Sequence, residues 1–191
     1  MRPTLATPRM VLEPMRPEHL PHLVDLDGDP EVMRHLIGRA RTAEEARAHW
    51  RPFCERTAAD RHGLGFWVGF ADGDFVGWWD ASPPLPVTDR VPSTAEVGWR
   101  LRRQRWGGGL ATEGARAVLE HCFVTVGLLR VTAETMAVNQ ASRGVMRKLG
   151  MRHVRTEVRE WDDPLPSAEQ GEVVYEITRE EWLGFGPTAE S

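Results

Sequence analysis

The stretch from Glu96 to Gly114 constrains the fold of this chain more than any other. Its first part alternates polar and apolar residues, as a half-buried strand does, with apolar side chains at Val97, Trp99 and Leu101. Three glycines follow at 107–109, and a run of helix-forming residues begins at Leu110. A strand that turns through glycines into a helix start exposes backbone N–H groups beside the positive end of the helix dipole. The stretch therefore predicts an anion site, most often one for phosphate.

Two familiar nucleotide motifs do not fit this stretch. A dinucleotide-binding G-x-G-x-x-G motif counted from Gly107 requires a glycine where the chain has Thr112. A P-loop counted from Gly109 requires Lys and then Ser or Thr, but the chain has Ala115 and Arg116. The alternative is a glycine loop that serves only tight packing. The flanking strand and helix favour a phosphate-binding turn of another kind.

Length and composition narrow the class of protein. The 191 residues predict one domain over 1–191, with a frayed tail at 184–191. A net charge of −4 gives no support for a nucleic-acid partner, and no apolar run is long enough to cross a membrane. Cys54 and Cys122 are interpreted as reduced, buried thiols of a cytoplasmic protein. The histidines lack the spacing of metal ligands, so no metal site is predicted.

Periodicity and turn residues predict an α/β fold with seven strands in one mixed sheet flanked by helices. The strands are predicted at 9–14, 65–71, 74–81, 96–101, 129–135, 151–161 and 173–178. The helices are predicted at 17–27, 30–36, 43–59, 109–126 and 140–149. Asp72-Gly73 predicts a tight hairpin between the second and third strands. The strand-helix-strand unit over 96–135 predicts that the fourth and fifth strands are parallel neighbours.

Two separated patterns stand in order along the chain. The first is Gly98-Trp99-Arg100-Leu101 followed by Trp106-Gly107-Gly108-Gly109-Leu110-Ala111-Thr112-Glu113. The second is Asn139-Gln140-Ala141-Ser142 followed by Lys148-Leu149-Gly150-Met151, with methionine where phenylalanine is usual. With the element order, these patterns resemble the GNAT acetyltransferase superfamily, and within it the RimJ/RimL-like branch. The resemblance covers Thr7 to Trp182.

The resemblance implies a GNAT-like, mostly antiparallel sheet whose fourth and fifth strands splay apart, and acetyl-CoA as the co-substrate. The acyl-CoA signature stands at Gln104-Arg105-Trp106-Gly107-Gly108-Gly109. Backbone N–H groups of Trp106 to Ala111 would bind the coenzyme A pyrophosphate, and the pantetheine arm would pair with the backbone near Leu101 and Arg102. The implied cofactor-binding residues are Leu101, Arg102, Gln104, Arg105, Trp106, Gly107, Gly108, Gly109, Leu110, Ala111, Thr112, Asn139 and Ser142.

Two side chains are expected to be catalytic. Transfer of an acetyl group to an amine requires a proton acceptor for the amine, and the departing thiolate takes up a proton. Glu96 matches a position where many family members place the base, although a solvent-facing glutamate is the alternative. Ser142 is the expected acid, or else an N-cap of the next helix, and Asn139 contacts the arm or serves as a turn residue. Other carboxylates left open as the base are Asp80, Glu134 and Glu157.

The resemblance implies an N-acetyltransferase that acts on a primary amine, either a protein or peptide N-terminus or a small molecule. A non-catalytic acyl-CoA-binding or interaction module on the same fold is the alternative. The acceptor groove is expected from residues 28–41, 83–92 and 162–171, with Asp25, Asp27 and Asp29 as its acidic start. Strands at 151–161 and 172–178 would offer an edge for a homodimer.

Overall fold

One sheet of eight strands runs through the computed structural model, which describes residues 2–55 and 57–184. The strands are β1 (Leu5–Ala6), β2 (Val11–Pro14), β3 (Gly65–Ala71), β4 (Asp74–Ser82), β5 (Thr94–Leu101), β6 (Arg130–Met136), β7 (Arg152–Glu157) and β8 (Glu172–Thr178). Their order across the sheet is β1-β2-β3-β4-β5-β6-β8-β7. The mixed, mostly antiparallel sheet is confirmed, but the predicted number of seven strands was wrong. Strand β1 has two residues, too few to leave a periodic pattern in the sequence.

Helices cover both faces of the sheet. They are α1 (Leu20–Asp27), α2 (Pro30–Met33), α3 (Ala43–Cys54), α4 (Leu110–Glu120), α5 (Gln140–Lys148) and α6 (Arg179–Gly184). Helices α1 to α3 share a core with one sheet face, built around Trp50, Val68, Phe75 and Trp78. The opposite face packs on α4 to α6 through a larger core that includes Trp79, Leu119 and Phe123. Cys54 and Cys122 are both buried and free. None of the described helices is long and apolar enough to cross a membrane.

Strands β5 and β6 separate soon after they meet. They pair in parallel only from Thr94 opposite Arg130 to Glu96 opposite Thr132. Beyond Glu96, β5 continues along β4 to Leu101, while β6 continues along β8 to Met136. The predicted splay is therefore confirmed, and it opens a gap in the middle of the sheet.

Several element ends differ from their predicted positions. Helix α3 ends at Cys54 rather than 59, close behind Pro52, which has no N–H for the helix ladder. Helix α4 ends at Glu120, and the wider π turn His121–Val126 completes the segment predicted as a single helix. Strand β7 ends at Glu157 rather than 161, because its partner β8 begins opposite, at Glu172.

The outer strand of the sheet beside β8 is β7. Strand β8 lies between β6 and β7, so the expectation that residues 172–178 offer an edge was wrong. Sequence periodicity does not show which of two neighbouring strands is the outer one, because both alternate alike. The homodimer stays a prediction, and of these two strands only β7 could form its contact edge. Most of the tail predicted at 184–191 lies outside the described residues.

Candidate active site

A cavity of about 1120 Å³ opens where β5 and β6 separate. One part of its lining, here called the loop end, is formed by residues 105–107, 109–112 and 139–148 without Arg143 and Arg147. The other part, called the carboxylate end, includes Asp80, Ser82, Pro83, Pro84 and Glu96. Residues 31–36, with the exception of Met33, also belong to it. Strand β5 connects the two ends. The groove expected from residues 28–41 and 83–92 thus matches this cavity in part, whereas residues 162–171, all of them described, contribute nothing to its lining.

The glycine loop at this end is built from backbone rather than from side chains. After a 3₁₀ turn at Arg103–Arg105, Gly107 and Gly109 take φ values of +76° and +80°, which side chains with a Cβ rarely adopt. Gly109 is the N-cap of α4, so the loop leads directly into the helix start. A Cβ added at Gly107 or Gly108 would meet no atom within 4 Å. The open loop and the helix N-terminus together suit a diphosphate group.

A side-chain cluster that the sequence did not predict holds this loop, and we call it the Arg9–Glu113 clamp. Glu113 in α4 accepts hydrogen bonds from Thr7 Oγ1 at 2.6 Å and from the Arg9 backbone N–H at 2.9 Å. Arg9 Nε donates to the other Glu113 oxygen at 2.7 Å, and Arg9 Nη1 donates to the Gly108 carbonyl at 2.9 Å. Burial alone raises the pKa of Glu113, but these hydrogen bonds outweigh it and the pKa is lowered. The clamp joins the β1–β2 turn, the loop and α4.

Three of the predicted cofactor residues do not line the cavity, namely Arg102, Gln104 and Gly108. The Arg102 backbone is already paired, because its N–H donates to Val76 and its carbonyl accepts from Arg105. The expected pairing of the pantetheine arm with Arg102 therefore does not fit this geometry. Backbone groups alternate along a strand, so those of Trp99 and Leu101 face the gap that β6 leaves. The Leu101 carbonyl accepts a hydrogen bond from Trp106 Nε1 at 2.9 Å.

The remaining cofactor residues meet at the loop end. Leu101, Arg105, Trp106, Gly107, Gly109, Leu110, Ala111, Thr112, Asn139 and Ser142 all line the cavity. Asn139 is the N-cap of α5, because its Oδ1 accepts from the Ser142 backbone N–H at 3.2 Å. Its amide nitrogen donates to Thr135 Oγ1 at 3.0 Å and to Ser142 Oγ at 3.2 Å. Asn139 thus fills the capping position considered for Ser142, and the Ser142 hydroxyl proton is left to donate into the cavity.

Asp80 is the most deeply buried carboxylate of the cavity lining, with 8% of its surface exposed. It lies on β4 opposite Gly98, and Ser82 Oγ donates to it at 2.6 Å. Burial raises the pKa of Asp80 to about 7, and the charge of Glu96 adds to this effect, while the Ser82 hydrogen bond opposes it. A carboxyl group that titrates near neutral pH can accept a proton from a bound amine and release it again.

Glu96 lies at the last parallel pair of β5 and β6, opposite Ser82 on β4. Its side chain reaches solvent through the cavity mouth. Partial burial raises the pKa of Glu96, and repulsion from Glu134 on β6 contributes, while Arg159 lowers it. Two carboxylates with raised pKa values therefore face the same end of the cavity, as is common where enzymes move protons.

A buried charge network supports the carboxylate end. Asp27, fully buried at the end of α1, accepts hydrogen bonds from Arg100 and Arg41, both at 2.5 Å, and from Trp50 Nε1 at 2.9 Å. Asp27 is therefore not the acidic groove residue that the sequence suggested. The Arg100 guanidinium lies 5.0 Å from the centre of the Trp78 ring, and the buried Trp78 Nε1 has no hydrogen-bond partner among the described residues.

The fold and the cavity together define a class of enzyme that passes an acyl group from coenzyme A to an acceptor held across the sheet. Sequence comparison agrees. The family description "Acetyltransferase (GNAT) domain" matches residues 9–152, and the chain belongs to this family. The chain is 45% identical over 189 residues to the FsC-acetyl coenzyme A-N(2)-transacetylase of Aspergillus fumigatus. The alignment covers 95% of this chain and 79% of that relative.

Solved structures share the fold. An acetyltransferase of the GNAT family from Bacillus anthracis superposes with a TM-score of 0.76 at 21% identity, over 93% of this chain and 99% of that one. RimL, the ribosomal L7/L12 alpha-N-protein acetyltransferase, solved with coenzyme A, superposes with a TM-score of 0.74 at 17% identity, over 92% and 98%. The chain is thus an acetyl-CoA-dependent N-acetyltransferase, which confirms the predicted family, enzyme class and co-substrate. The RimJ/RimL-like branch stays a prediction.

Proposed function

We propose that the protein transfers the acetyl group of acetyl-CoA to a primary amine of a small molecule, by direct attack within a ternary complex. The observation that supports this most is the cavity that opens where β5 and β6 separate. Along β5 it connects the glycine loop, which we expect to bind phosphate, with two carboxylates of raised pKa, Glu96 on β5 and Asp80 on the adjacent β4. Two substrates bound at these ends would meet in the gap between β5 and β6, and their alignment supplies much of the rate enhancement.

The loop end fits acetyl-CoA, which supplies the activated acetyl group when bound. The N–H groups of the loop and of the α4 start would hold the diphosphate, because no Cβ stands between them and the cavity at Gly107 and Gly109. The Trp99 backbone and the Leu101 N–H would pair with the arm in place of β6, since the Leu101 carbonyl already accepts from Trp106 Nε1. Asn139 would orient the Ser142 hydroxyl, which donates a proton or a hydrogen bond to the departing sulfur.

Glu96 stays our proposed base of the acceptor side, in a position to pass protons between the cavity and solvent. It lies where the paired part of β5 ends, and its raised pKa brings its proton affinity closer to neutral pH. No covalent enzyme intermediate is required, since the amine attacks the thioester directly. The non-catalytic binding module considered from the sequence is set aside, because the family and the relative at 45% identity are acetyltransferases.

The relative at 45% identity favours a small-molecule acceptor. Its name couples FsC and acetyl coenzyme A with transfer at an N(2) position. Low identity to RimL leaves that similarity as evidence for the fold alone. In our protein the carboxylate end is lined by aromatic and proline side chains at Phe66, Trp78, Pro83 and Pro84, which suit an acceptor with apolar parts.

Free-thiol release from acetyl-CoA tests the proposal. The protein is offered FsC, simple diamines and amino acid amides, and peptides with free N-termini in parallel. We expect release with FsC or another small amine at a kcat/KM at least about 10-fold above that of any peptide, which is a difference of about 1.4 kcal/mol in transition-state stabilisation. A peptide preferred by that margin would overturn the small-molecule acceptor but not the acetyltransferase. Absence of release with every amine would overturn the proposed reaction.

A further inference from the structure

The sheet leaves space for the Asp80 side chain on the neighbouring strand. Asp80 stands opposite Gly98, on the face of the sheet that also carries Trp78 and Ser82. A Cβ added at Gly98 would lie 2.7 Å from Asp80 Oδ1, closer than real Cβ contacts. Glycine at position 98 therefore leaves room for the carboxylate. Asp80 lines the cavity although only 8% of its surface is exposed.

This buried carboxylate has no cation in hydrogen-bonding contact among the described residues. Its side-chain hydrogen bond comes from a neutral hydroxyl, that of Ser82. Arg100, on the neighbouring strand, acts on Asp80 through its charge, but it is hydrogen-bonded through Nη1 to Asp27 at 2.5 Å, a carboxylate that Arg41 also binds. The other titratable groups that interact with Asp80, Glu96 on β5 and Cys122 behind the sheet, carry negative charge or none. Beside α2, Arg34 lines the same end of the cavity but pairs with Glu31 at 3.3 Å. Among the described residues, Asp80 therefore has no cation bound directly to it, and a cationic ligand could take that place.

We propose that Asp80 is the counter-ion of the acceptor ammonium and the first acceptor of its proton, with Glu96 passing that proton on to solvent. This inference rests on the proposed acetyl transfer and adds a substrate class: the acceptor enters as a protonated primary amine, one charge of which Asp80 neutralises. Ser82 connects the two carboxylates, since it donates to Asp80 and lies directly opposite Glu96. The two carboxylates are diagonal neighbours on adjacent strands, about 7 Å apart.

The step balances in atoms and charge. The ammonium gives one proton to Asp80 and becomes a free amine. Its nitrogen then forms a bond to the acetyl carbonyl carbon, and the carbon–sulfur bond breaks after the tetrahedral intermediate. The new amide nitrogen loses its second proton, and the thiolate gains one, with Ser142 as the nearest proposed donor. One proton in total leaves through Asp80 and Glu96, so ammonium and acetyl-CoA yield amide, thiol and one proton.

The ionised form of Asp80 is the active one, which fixes the direction of the pH dependence. Since burial raises the pKa of Asp80 to about 7, kcat/KM rises with pH through about 7 and then stays level. If the enzyme instead required free amine from solution, kcat/KM would keep rising toward the amine pKa of about 10. A level region between about pH 8 and pH 9 therefore distinguishes the two cases.

The Asp80→Asn variant tests the inference, and Glu96→Gln is its matched control on the same face. Both are assayed with the best amine of the thiol-release panel, and acetyl-CoA affinity reports on folding. We expect Asp80→Asn to lower kcat/KM at neutral pH at least about 100-fold. It should also remove the rise of kcat/KM near pH 7, which we call the limb. We expect Glu96→Gln to lower kcat/KM less than about 10-fold and to move the limb to lower pH, because a negative neighbour is removed.

The position of the limb in Glu96→Gln distinguishes a catalytic Asp80 from a structural one. If Asp80 only supported the fold, its protonation would not control kcat/KM, and removing the charge of Glu96 would not shift the limb. If the wild-type protein releases thiol and Asp80→Asn keeps its rate and its limb, the inference is overturned while the proposed function stands. A limb that disappears in Glu96→Gln and persists in Asp80→Asn also overturns it and leaves Glu96 as the first base. If wild-type protein releases no thiol with any amine, the proposed function and this inference fail together.

Discussion

The two ends of the cavity are built by opposite means. The loop end presents mostly backbone from one contiguous stretch, with two glycines at positive φ and the start of α4, beside the first turn of α5. The carboxylate end presents side chains from distant elements, with Val32 on α2, Trp78 and Asp80 on β4 and Arg100 on β5. Backbone N–H groups bind any phosphate in the same way, whereas side chains must match one acceptor. This difference suits an enzyme whose donor is common to its family and whose acceptor is its own.

The two ends also obtain their geometry in different ways. At the loop end, the chain conformation itself is the constraint, so a single residue with a Cβ in a left-handed position is harmful. At the carboxylate end, packing and charge balance are the constraint, and an isosteric change can keep the shape while removing the chemistry.

Gly109→Asp should nearly abolish acetyl-CoA binding. The substitution strains a residue with φ +80° and places a negative charge beside the expected diphosphate. We expect the dissociation constant, measured by calorimetry, to rise at least about 100-fold, which corresponds to about 2.7 kcal/mol. Gly127→Asp is the control, because Gly127 has φ +83° and nothing within 4 Å, but lies beyond α4 and outside the cavity lining. Equal losses in both variants would mean that strain alone acts, and the anion site would be wrong.

Glu113→Gln should show that the loop end also depends on a side chain. It removes the charge that Arg9 meets at 2.6 Å, and so weakens the arginine that holds the Gly108 carbonyl. Charge-assisted hydrogen bonds contribute about 1.5–3 kcal/mol, so we expect the KM for acetyl-CoA to rise about 10-fold. The KM for the acceptor should stay within about 2-fold, since the clamp does not reach the carboxylate end.

Arg9→Met provides the partner variant for a double-mutant cycle. If the clamp acts as one unit, adding Arg9→Met to Glu113→Gln should increase the KM for acetyl-CoA little further. Fully additive effects would show that the two residues act separately. Steady-state kinetics with each substrate varied in turn provides both constants.

The same contrast explains what the sequence could and could not predict. Gly107 to Gly109 and the α4 start are contiguous, so their conformation can be inferred from residue types alone. The Arg9–Glu113 clamp joins residues more than a hundred positions apart, and no local pattern announces it. In the sequence Asp27 cannot be told apart from its neighbours Asp25 and Asp29, yet it is fully buried between two arginines. Its role depends on the tertiary contact with β5, which propensity does not encode.

Asp80 shows the same limit more sharply, because the sequence offered it as one carboxylate among several. Two features single it out: burial with no cation hydrogen-bonded to it among the described residues, and the glycine opposite at position 98. The glycine is visible in the sequence as part of Gly98-Trp99-Arg100-Leu101, but its purpose follows only from the register that places it against Asp80. Register depends on which strands pair, and that is decided by the whole sheet.

Asp80→Asn should also change the stability of the fold, and here the variant should be more stable than the wild-type protein. The pKa of Asp80 is about 7 in the folded protein and near 3.8 when exposed, so the unfolded chain binds fewer protons between these values. Stability due to Asp80 is therefore complete below about pH 4 and falls as the pH rises to about 7. Asp80→Asn removes this cost of about 4 kcal/mol. The melting temperature at about pH 8 should therefore rise on the order of 10 °C, since 1 kcal/mol corresponds to about 2–4 °C.

The gain from Asp80→Asn should shrink toward pH 4, which scanning calorimetry across the pH range would show. Glu113→Gln, at the loop end, should do the opposite and lower the melting temperature near neutral pH, because the folded state there lowers the pKa of its carboxyl group. A variant that loses activity and gains stability would mark the carboxylate end as the place where the fold gives up stability for chemistry. Should Asp80→Asn instead destabilise the protein at about pH 8, Asp80 has a counter-ion in solution and the contrast between the two ends disappears.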